Sequence, residues 1–153
     1  MNKAETINET YKHKATVEKF VFFVAKELIN RGMKHDNSKI DSFEAEGFAK
    51  YTDKLAGLTY GSEEYKKTLG EMKPFLKHHY EKNRHHPEHF PDGIKGMNLI
   101  DVVEMICDWK AASLRHDDSD ILKSIEINQD RFGYSDDLKD ILLNTIDFFD
   151  FCF

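Results

Sequence analysis

Cysteine is scarce in this chain, and long apolar runs do not occur in it. Of its 153 residues only two are cysteines, Cys107 in an apolar helical stretch and Cys152 one residue from the end. A small secreted protein that depends on disulfides needs a paired framework of cysteines, which these two positions do not supply. Because no run of twenty apolar residues occurs, the sequence predicts no membrane-spanning helix.

The N-terminal composition and the charge balance narrow the location and the partners. Residues 1–11 are polar and lack the apolar region of a secretory signal, so we expect a cytoplasmic protein. The formal net charge of -6 disfavours duplex nucleic acid, whose binding relies on Lys and Arg. A small anionic ligand remains compatible, because a local patch can differ in sign from the whole. With 40% hydrophobic and 33% charged residues, the chain is typical of one globular domain over residues 1–153.

Strand-like alternation is missing beyond a few residues, and apolar residues recur at helical spacing instead, as at Val17, Val21 and Leu28. This pattern predicts an all-α domain of about six helices. The predicted helices cover approximately residues 9–30, 37–55, 62–86, 98–114, 119–131 and 135–153. Prolines and glycines predict an irregular loop over residues 86–96 and a turn over residues 60–62.

The last predicted helix is apolar on nearly all sides, with Leu142 and Ile146 among its apolar residues. We expect it to pack into the core of its own chain, and a homodimer contact through this helix is the alternative. A membrane contact is not expected, because Asp147 and Asp150 would be repelled by an anionic surface.

Histidines are concentrated in one part of the chain. Five of the eight fall within residues 78–89: His78, His79, His85, His86 and His89. Imidazole is the commonest nitrogen ligand of Zn, Fe, Mn and related ions, so histidines at a helix end and in the following loop indicate a metal site. A solvent-exposed, histidine-rich surface is the alternative.

Two His-Asp pairs occur, and only one of them is a good candidate. His35-Asp36 directly follows the first predicted helix and can offer one ion a nitrogen and an oxygen ligand. His116-Asp117 lies in a polar run that a solvated helix junction explains, so we reject it as a site.

Two helices add further candidate ligands. His13 extends the apolar stripe of the first helix by one turn before Val17, which predicts an imidazole that points inward. Asp101, Glu104 and Asp108 share one side of the fourth helix, where they would repel each other unless a cation or histidines stabilise them. A solvated outer face is the ordinary alternative for these three carboxylates.

The order of these residues resembles the ligand sequence H…HD…H…H…D of the HD-domain superfamily of metal-dependent phosphohydrolases, especially its binuclear HD-GYP-like branch. Residues 35–39, His-Asp-Asn-Ser-Lys, are similar to the family's HD-x-G-K segment. Residues 102–112 resemble its late apolar helix, with Asp108 as the final ligand. The stretch over residues 83–89 is similar to small phage and bacterial HD-like proteins, whereas the Gly-Tyr-Pro signature is absent.

The resemblance implies an HD-like helical domain that holds one or two divalent ions, of Mn, Fe, Zn, Ni or Co. The implied metal ligands are His13, His35, Asp36, His79, His85, His86 and Asp108. Asp36 would bridge the two ions. Which of the clustered histidines bind stays open, with His78 and His89 as alternatives, and Asp101 or Glu104 could also contribute.

For function, the resemblance implies hydrolysis of a phosphomonoester or phosphodiester in a small nucleotide-like substrate, with a metal-acidified water as the attacking group. Asp36 and Lys39 are the predicted catalytic residues, and Lys39 and Arg84 are the predicted phosphate-binding cations. A di-iron oxygenase, which uses a similar ligand set, is the first alternative. A metal-stabilised binding protein without turnover is the second.

Overall fold

The computed structural model describes residues 2–58, 62–114 and 120–152, and within these ranges the chain forms helices and no β-strand. Its α-helices are α1 (Lys3–Lys34), α2 (Ser42–Ala56), α3 (Glu63–Lys82), α4 (Leu99–Ser113), α5 (Ile121–Phe132) and α6 (Asp136–Cys152). Short 3-10 helices occupy Asn37–Ile40, Pro87–His89 and Gly93–Gly96. The predicted all-α fold class with six α-helices is therefore confirmed.

Some predicted features fall on residues outside the described ranges. These are the His116-Asp117 pair, most of the turn at residues 60–62, the start of the fifth predicted helix at Ser119, and the last residue, Phe153.

By its internal contacts the chain divides into two units, Met1–Lys34 and His35–Phe153. The first unit consists of α1, none of whose residues is buried. Within this unit His13 lies on α1 with an exposed side chain, and its role as a metal ligand stays a prediction. The helix begins earlier than residue 9. The side chain of Asn2 accepts from the backbone N–H of Glu5, and the side chain of Glu5 accepts from that of Asn2, which together form a capping box.

The helix ends in the second unit follow from side-chain caps. Ser62 accepts from the N–H of Tyr65 at the start of α3, and Asn98 forms a capping box with Asp101 at the start of α4. The predicted end of α3 near residue 86 is wrong. The helix ends at Lys82 because Asn83 adopts an extended backbone, and the Asn83 side chain donates to the carbonyl of His79.

The second predicted helix is also interrupted. Asp41 has an extended backbone and separates the 3-10 helix Asn37–Ile40 from α2. Packing of α2 on α3 is close at Gly47, where the ring of Phe75 fills the space that a Cβ atom would need. This packing brings the beginning of α2 next to the histidines at the end of α3.

Helices α4, α5 and α6, together with Ile94 and Tyr134 from the segments before α4 and α6, form an apolar core in the second unit. Its buried members are Ile94, Met105, Ile106, Ile121, Ile125, Tyr134, Leu142 and Ile146. Leu142 and Ile146 thus lie in the core as expected, while Phe148 and Phe151 of the same helix are exposed. The homodimer contact through α6 stays a prediction. No described helix is both long and apolar enough to cross a membrane.

Candidate metal centre

Six potential ligands from four segments of the second unit lie close together. They form two overlapping groups: Asp36, His79, His85 and His86 in one, and His35, Asp36, His85 and Asp108 in the other. Within each group, one ligand atom from every residue lies within 4.8 Å of all the others. The predicted ligands of the second unit therefore do come together, whereas His13 belongs to the other unit.

Asp36 occupies an unusual backbone conformation at the centre of this arrangement. Its φ of 55° and ψ of 18° lie in the left-handed region, and it is the only non-glycine residue in the described ranges with a positive φ. Asp and Asn adopt this conformation more readily than other non-glycine residues. Because the chain turns here into the 3-10 helix Asn37–Ile40, the side chains of His35 and Asp36 face the same centre.

The carboxylate of Asp36 faces three imidazoles. Its Oδ1 lies 3.4 Å from Nε2 of His79 and 3.5 Å from Nε2 of His85. Its Oδ2 lies 3.5 Å from Nε2 of His35, and the same Nε2 lies 3.5 Å from Oδ1 of Asp108. Ligands held tetrahedrally about 2.1 Å from an ion are separated by about 3.4 Å, so these spacings suit the coordination of a divalent metal.

Two buried atoms at the centre lack hydrogen-bond partners, which tests whether a metal fits there. Oδ1 of Asp36 and Nε2 of His85 are both buried and unpartnered, and they face each other across 3.5 Å. Leaving a buried polar group unsatisfied costs about 1–3 kcal/mol, so such groups in a native protein call for an explanation. A cation between the two atoms would satisfy both, and imidazole with carboxylate is a ligand set for transition metals. The residues present therefore fit a metal ion.

Two carboxylates contact the outer nitrogens of the same imidazoles. Glu44, which is fully buried, places Oε2 2.9 Å from Nδ1 of His79 and Oε1 2.7 Å from Nδ1 of His78. Glu104 places Oε1 3.0 Å from Nδ1 of His35 and 3.2 Å from Nδ1 of His85. Sequence reasoning left Glu104 open and missed Glu44, because nothing in the spacing of α2 distinguishes Glu44 from a surface residue.

Strong electrostatic coupling shifts the pKa values of the centre. Hydrogen bonds to Asp108 and then Glu104 raise the pKa of His35 to about 10. Burial, assisted by His85 and His79, lowers the pKa of His86 to about 3. Burial would raise the pKa of Asp108, but the hydrogen bond with His35 outweighs it and the pKa falls below its ordinary value.

Burial and hydrogen bonding also have opposite effects on the pKa values of two further carboxylates. Burial opposes ionisation of Asp36, but its hydrogen bond from Lys39 lowers the pKa below the usual value. Burial likewise opposes ionisation of Glu44, and the contacts with His78 and His79 lower its pKa. All three carboxylates are therefore ionised at neutral pH, which favours a bound cation.

Several other predicted or alternative residues have different partners. Arg84 donates two hydrogen bonds to the buried carboxylate of Asp101, at 3.0 and 2.9 Å, and stacks on the ring of Phe90. The Nδ1 of His89 donates to the carbonyl of Tyr80. Arg84, predicted to bind phosphate, thus has its planar donor fork turned to the N-terminus of α4.

Lys39 lies at the edge of the centre. Its Nζ is 2.6 Å from Oδ2 of Asp36 and 5.4 Å from the ring centre of Phe48. A cavity of about 470 Å³ opens beside it, lined by Asp36, Lys39, Phe48, Thr52, Leu55 and Met72. A ligand in this cavity would contact the ammonium group, a carboxylate of the centre and an apolar wall.

Comparison with known proteins yields one finding. The model of a family of unknown function, DUF5662, matches residues 2–148 of the chain. No curated protein and no solved structure matches it. The matching family carries no activity that could be transferred, and the resemblance to the HD-domain superfamily stays a prediction.

Proposed function

The chain belongs to the DUF5662 family, and we propose that it is a metal-dependent phosphohydrolase acting on a small nucleotide-like phosphoester. The observation that carries this proposal is the pair of buried, unpartnered ligand atoms, Oδ1 of Asp36 and Nε2 of His85, at the point where the six side chains meet. A cation between these two atoms would give both of them a partner, because a carboxylate oxygen and a bare imidazole nitrogen are both metal ligands.

The proposed ligands form two groups that share Asp36 and His85. Asp36 and His85 would hold an ion with His79 and His86 in one group, and with His35 and Asp108 in the other. One ion or two can therefore be held, with Asp36 common to both positions. A bound divalent ion would supply Lewis-acid chemistry, acidifying a water and polarising a phosphoryl oxygen.

Lys39 and the adjacent cavity support a phosphoester as substrate. The Lys39 ammonium lies 2.6 Å from Oδ2 of Asp36, and a cation that neutralised this carboxylate would leave Lys39 available to an anionic substrate. A phosphoryl group at the mouth of the cavity would lie between Lys39 and the centre. The organic part of the substrate would then lie against Phe48 and Leu55.

The first test is the metal content of protein purified without an affinity tag. We compare wild type with Asp36→Asn, because Asn tolerates the left-handed backbone while losing the charge. Asp130→Asn, an exposed position on α5, is the matched control. We expect at least about one Mn, Fe, Zn, Ni or Co ion per wild-type or control chain, and a marked loss in Asp36→Asn. Wild-type protein that contains no metal and takes up neither Mn²⁺ nor Zn²⁺ would refute the metal centre.

The second test is turnover of metal-loaded protein on a panel of nucleoside mono-, di- and triphosphates and cyclic nucleotides. Lys39→Ala should lose most of the phosphate release while keeping its metal, and Lys66→Ala, which removes an exposed lysine paired with Glu63, should leave turnover unchanged. Iron with visible absorption and oxygen-dependent turnover would instead indicate the oxygenase alternative. A loaded centre without turnover on any substrate would indicate a metal-stabilised binding protein.

A further inference from the structure

A single carboxylate oxygen, Oε1 of Glu104, contacts two ligands of the candidate centre. It lies 3.0 Å from Nδ1 of His35 and 3.2 Å from Nδ1 of His85, and the two rings are 4.3 Å apart between their centroids. An ionised carboxylate accepts hydrogen bonds but cannot donate them. With Glu104 ionised, the hydrogen bond with His35 requires a hydrogen on Nδ1 of that ring, and a hydrogen on Nδ1 of His85 makes its 3.2 Å contact with the same oxygen attractive.

A hydrogen on Nδ1 determines the state of the other ring nitrogen. In a neutral imidazole it leaves Nε2 with a bare lone pair. Nε2 of His35 faces Asp36 and Asp108 at 3.5 Å, and Nε2 of His85 faces Asp36 at 3.5 Å. Lone pairs that face carboxylate oxygens at these distances repel each other unless a proton or a metal ion lies between them.

We propose that Glu104 is a positioning residue that holds His35 and His85 with hydrogen on Nδ1 and so presents both Nε2 atoms to the metal. The proposal rests on the metal centre of the proposed function, although the ring tautomer is a property of the metal-free protein too. Partners of this kind orient metal-binding histidines and increase their basicity. One carboxylate thereby couples a ligand next to the 3-10 helix with a ligand in the segment after α3.

Glu44 provides a parallel within the same molecule. Its Oε2 contacts Nδ1 of His79 at 2.9 Å, while Nε2 of His79 faces Asp36. Three imidazoles of the centre thus have the same orientation, with a carboxylate behind Nδ1 and Asp36 in front of Nε2. The two carboxylates come from different helices, Glu44 from α2 and Glu104 from α4.

The direct test is the protonation of the two rings in wild-type protein stripped of metal. Long-range ¹H–¹⁵N spectra at pH 8 distinguish a protonated from a bare ring nitrogen. We expect Nδ1 of both His35 and His85 to be protonated, whether or not Nε2 also carries a hydrogen. A bare Nδ1 on either ring would overturn the proposal, and this measurement needs no variant that might fail to fold.

The second test is metal affinity, measured by competition with a chelator for Zn²⁺. In Glu104→Gln the amide oxygen can still accept from the rings, but it carries no negative charge to increase their basicity or to hold hydrogen on both Nδ1 atoms. We expect Kd to rise about 10–100-fold with the same number of ions at saturation. Glu126→Gln, an exposed change on α5, is the control and should bind like wild type.

The outcomes separate this proposal from the proposed function. A Glu104→Gln Kd within twofold of wild type, with folding verified by circular dichroism, would overturn the positioning role while leaving the metal centre intact. Failure of wild-type protein to bind Zn²⁺ or Mn²⁺ would refute the metal centre and with it the positioning of metal ligands. Both proposals are supported if wild type binds the metal tightly, its two Nδ1 atoms are protonated, and Glu104→Gln binds the metal more weakly.

Discussion

Alkaline pH is expected to lower the free energy of unfolding of the metal-free protein through one residue, His35. Its hydrogen bonds with Asp108 and Glu104 raise its pKa from 6.5 to about 10. Between these values the folded chain retains a proton that the unfolded chain has released, so the free energy of unfolding decreases as pH rises. The stabilisation is fully present below pH 6.5 and is lost as pH rises through about 10.

The size of this loss of stability follows from the difference between the two pKa values of His35. At about 1.4 kcal/mol per pH unit, it would amount to about 5 kcal/mol for a fully buried group. The imidazole of His35 is 28% exposed, so solvent screening reduces the contribution. We expect the free energy of unfolding to fall by about 2–3 kcal/mol between pH 6.5 and 9.5.

Urea unfolding of chelator-treated protein, followed by the fluorescence of the single tryptophan, Trp109, measures this change directly. His35→Gln is the reference, because glutamine keeps hydrogen-bonding capacity but does not titrate. The wild-type curve of stability against pH should fall relative to the variant curve by the stated amount. Parallel curves over pH 6.5–9.5 would refute the reasoning, since His35 would then have no raised pKa in the folded state.

Three further predictions concern residues around the centre. Arg84→Ala should lower the free energy of unfolding by about 1–3 kcal/mol in urea titrations, because it removes two hydrogen bonds to buried Asp101. Its metal content should stay unchanged, and a loss of metal would show that Arg84 belongs to the centre. Gly47→Ala should cost about 1–3 kcal/mol in the same assay, since the new Cβ would displace the ring of Phe75, and an unchanged midpoint would contradict this packing. Phe48→Ala should raise KM for a nucleotide-like substrate about 10-fold or more with a smaller change in kcat, and an unchanged KM would place the substrate outside the cavity.

Most of the helical architecture could be predicted from the sequence, because helix formation depends on near neighbours. The starts of α3 and α4 follow from Ser62 and Asn98, whose side chains cap backbone groups only two or three residues away. The break at Asp41 was missed, since apolar residues keep helical spacing on both sides of it. Asn83 was missed as the end of α3 for a similar reason, because its side-chain bond to His79 is made only once the helix has formed.

The residue types that could bind a metal can be read from the chain: the His35-Asp36 pair, the clustered histidines and Asp108. Which of these residues meet depends on how the helices of the second unit pack. Glu44 shows the limit most clearly, since it lies 35 positions before its partner His79 and meets it through the packing of α2 on α3. Contacts over such separations depend on how whole helices pack, and no short motif records them.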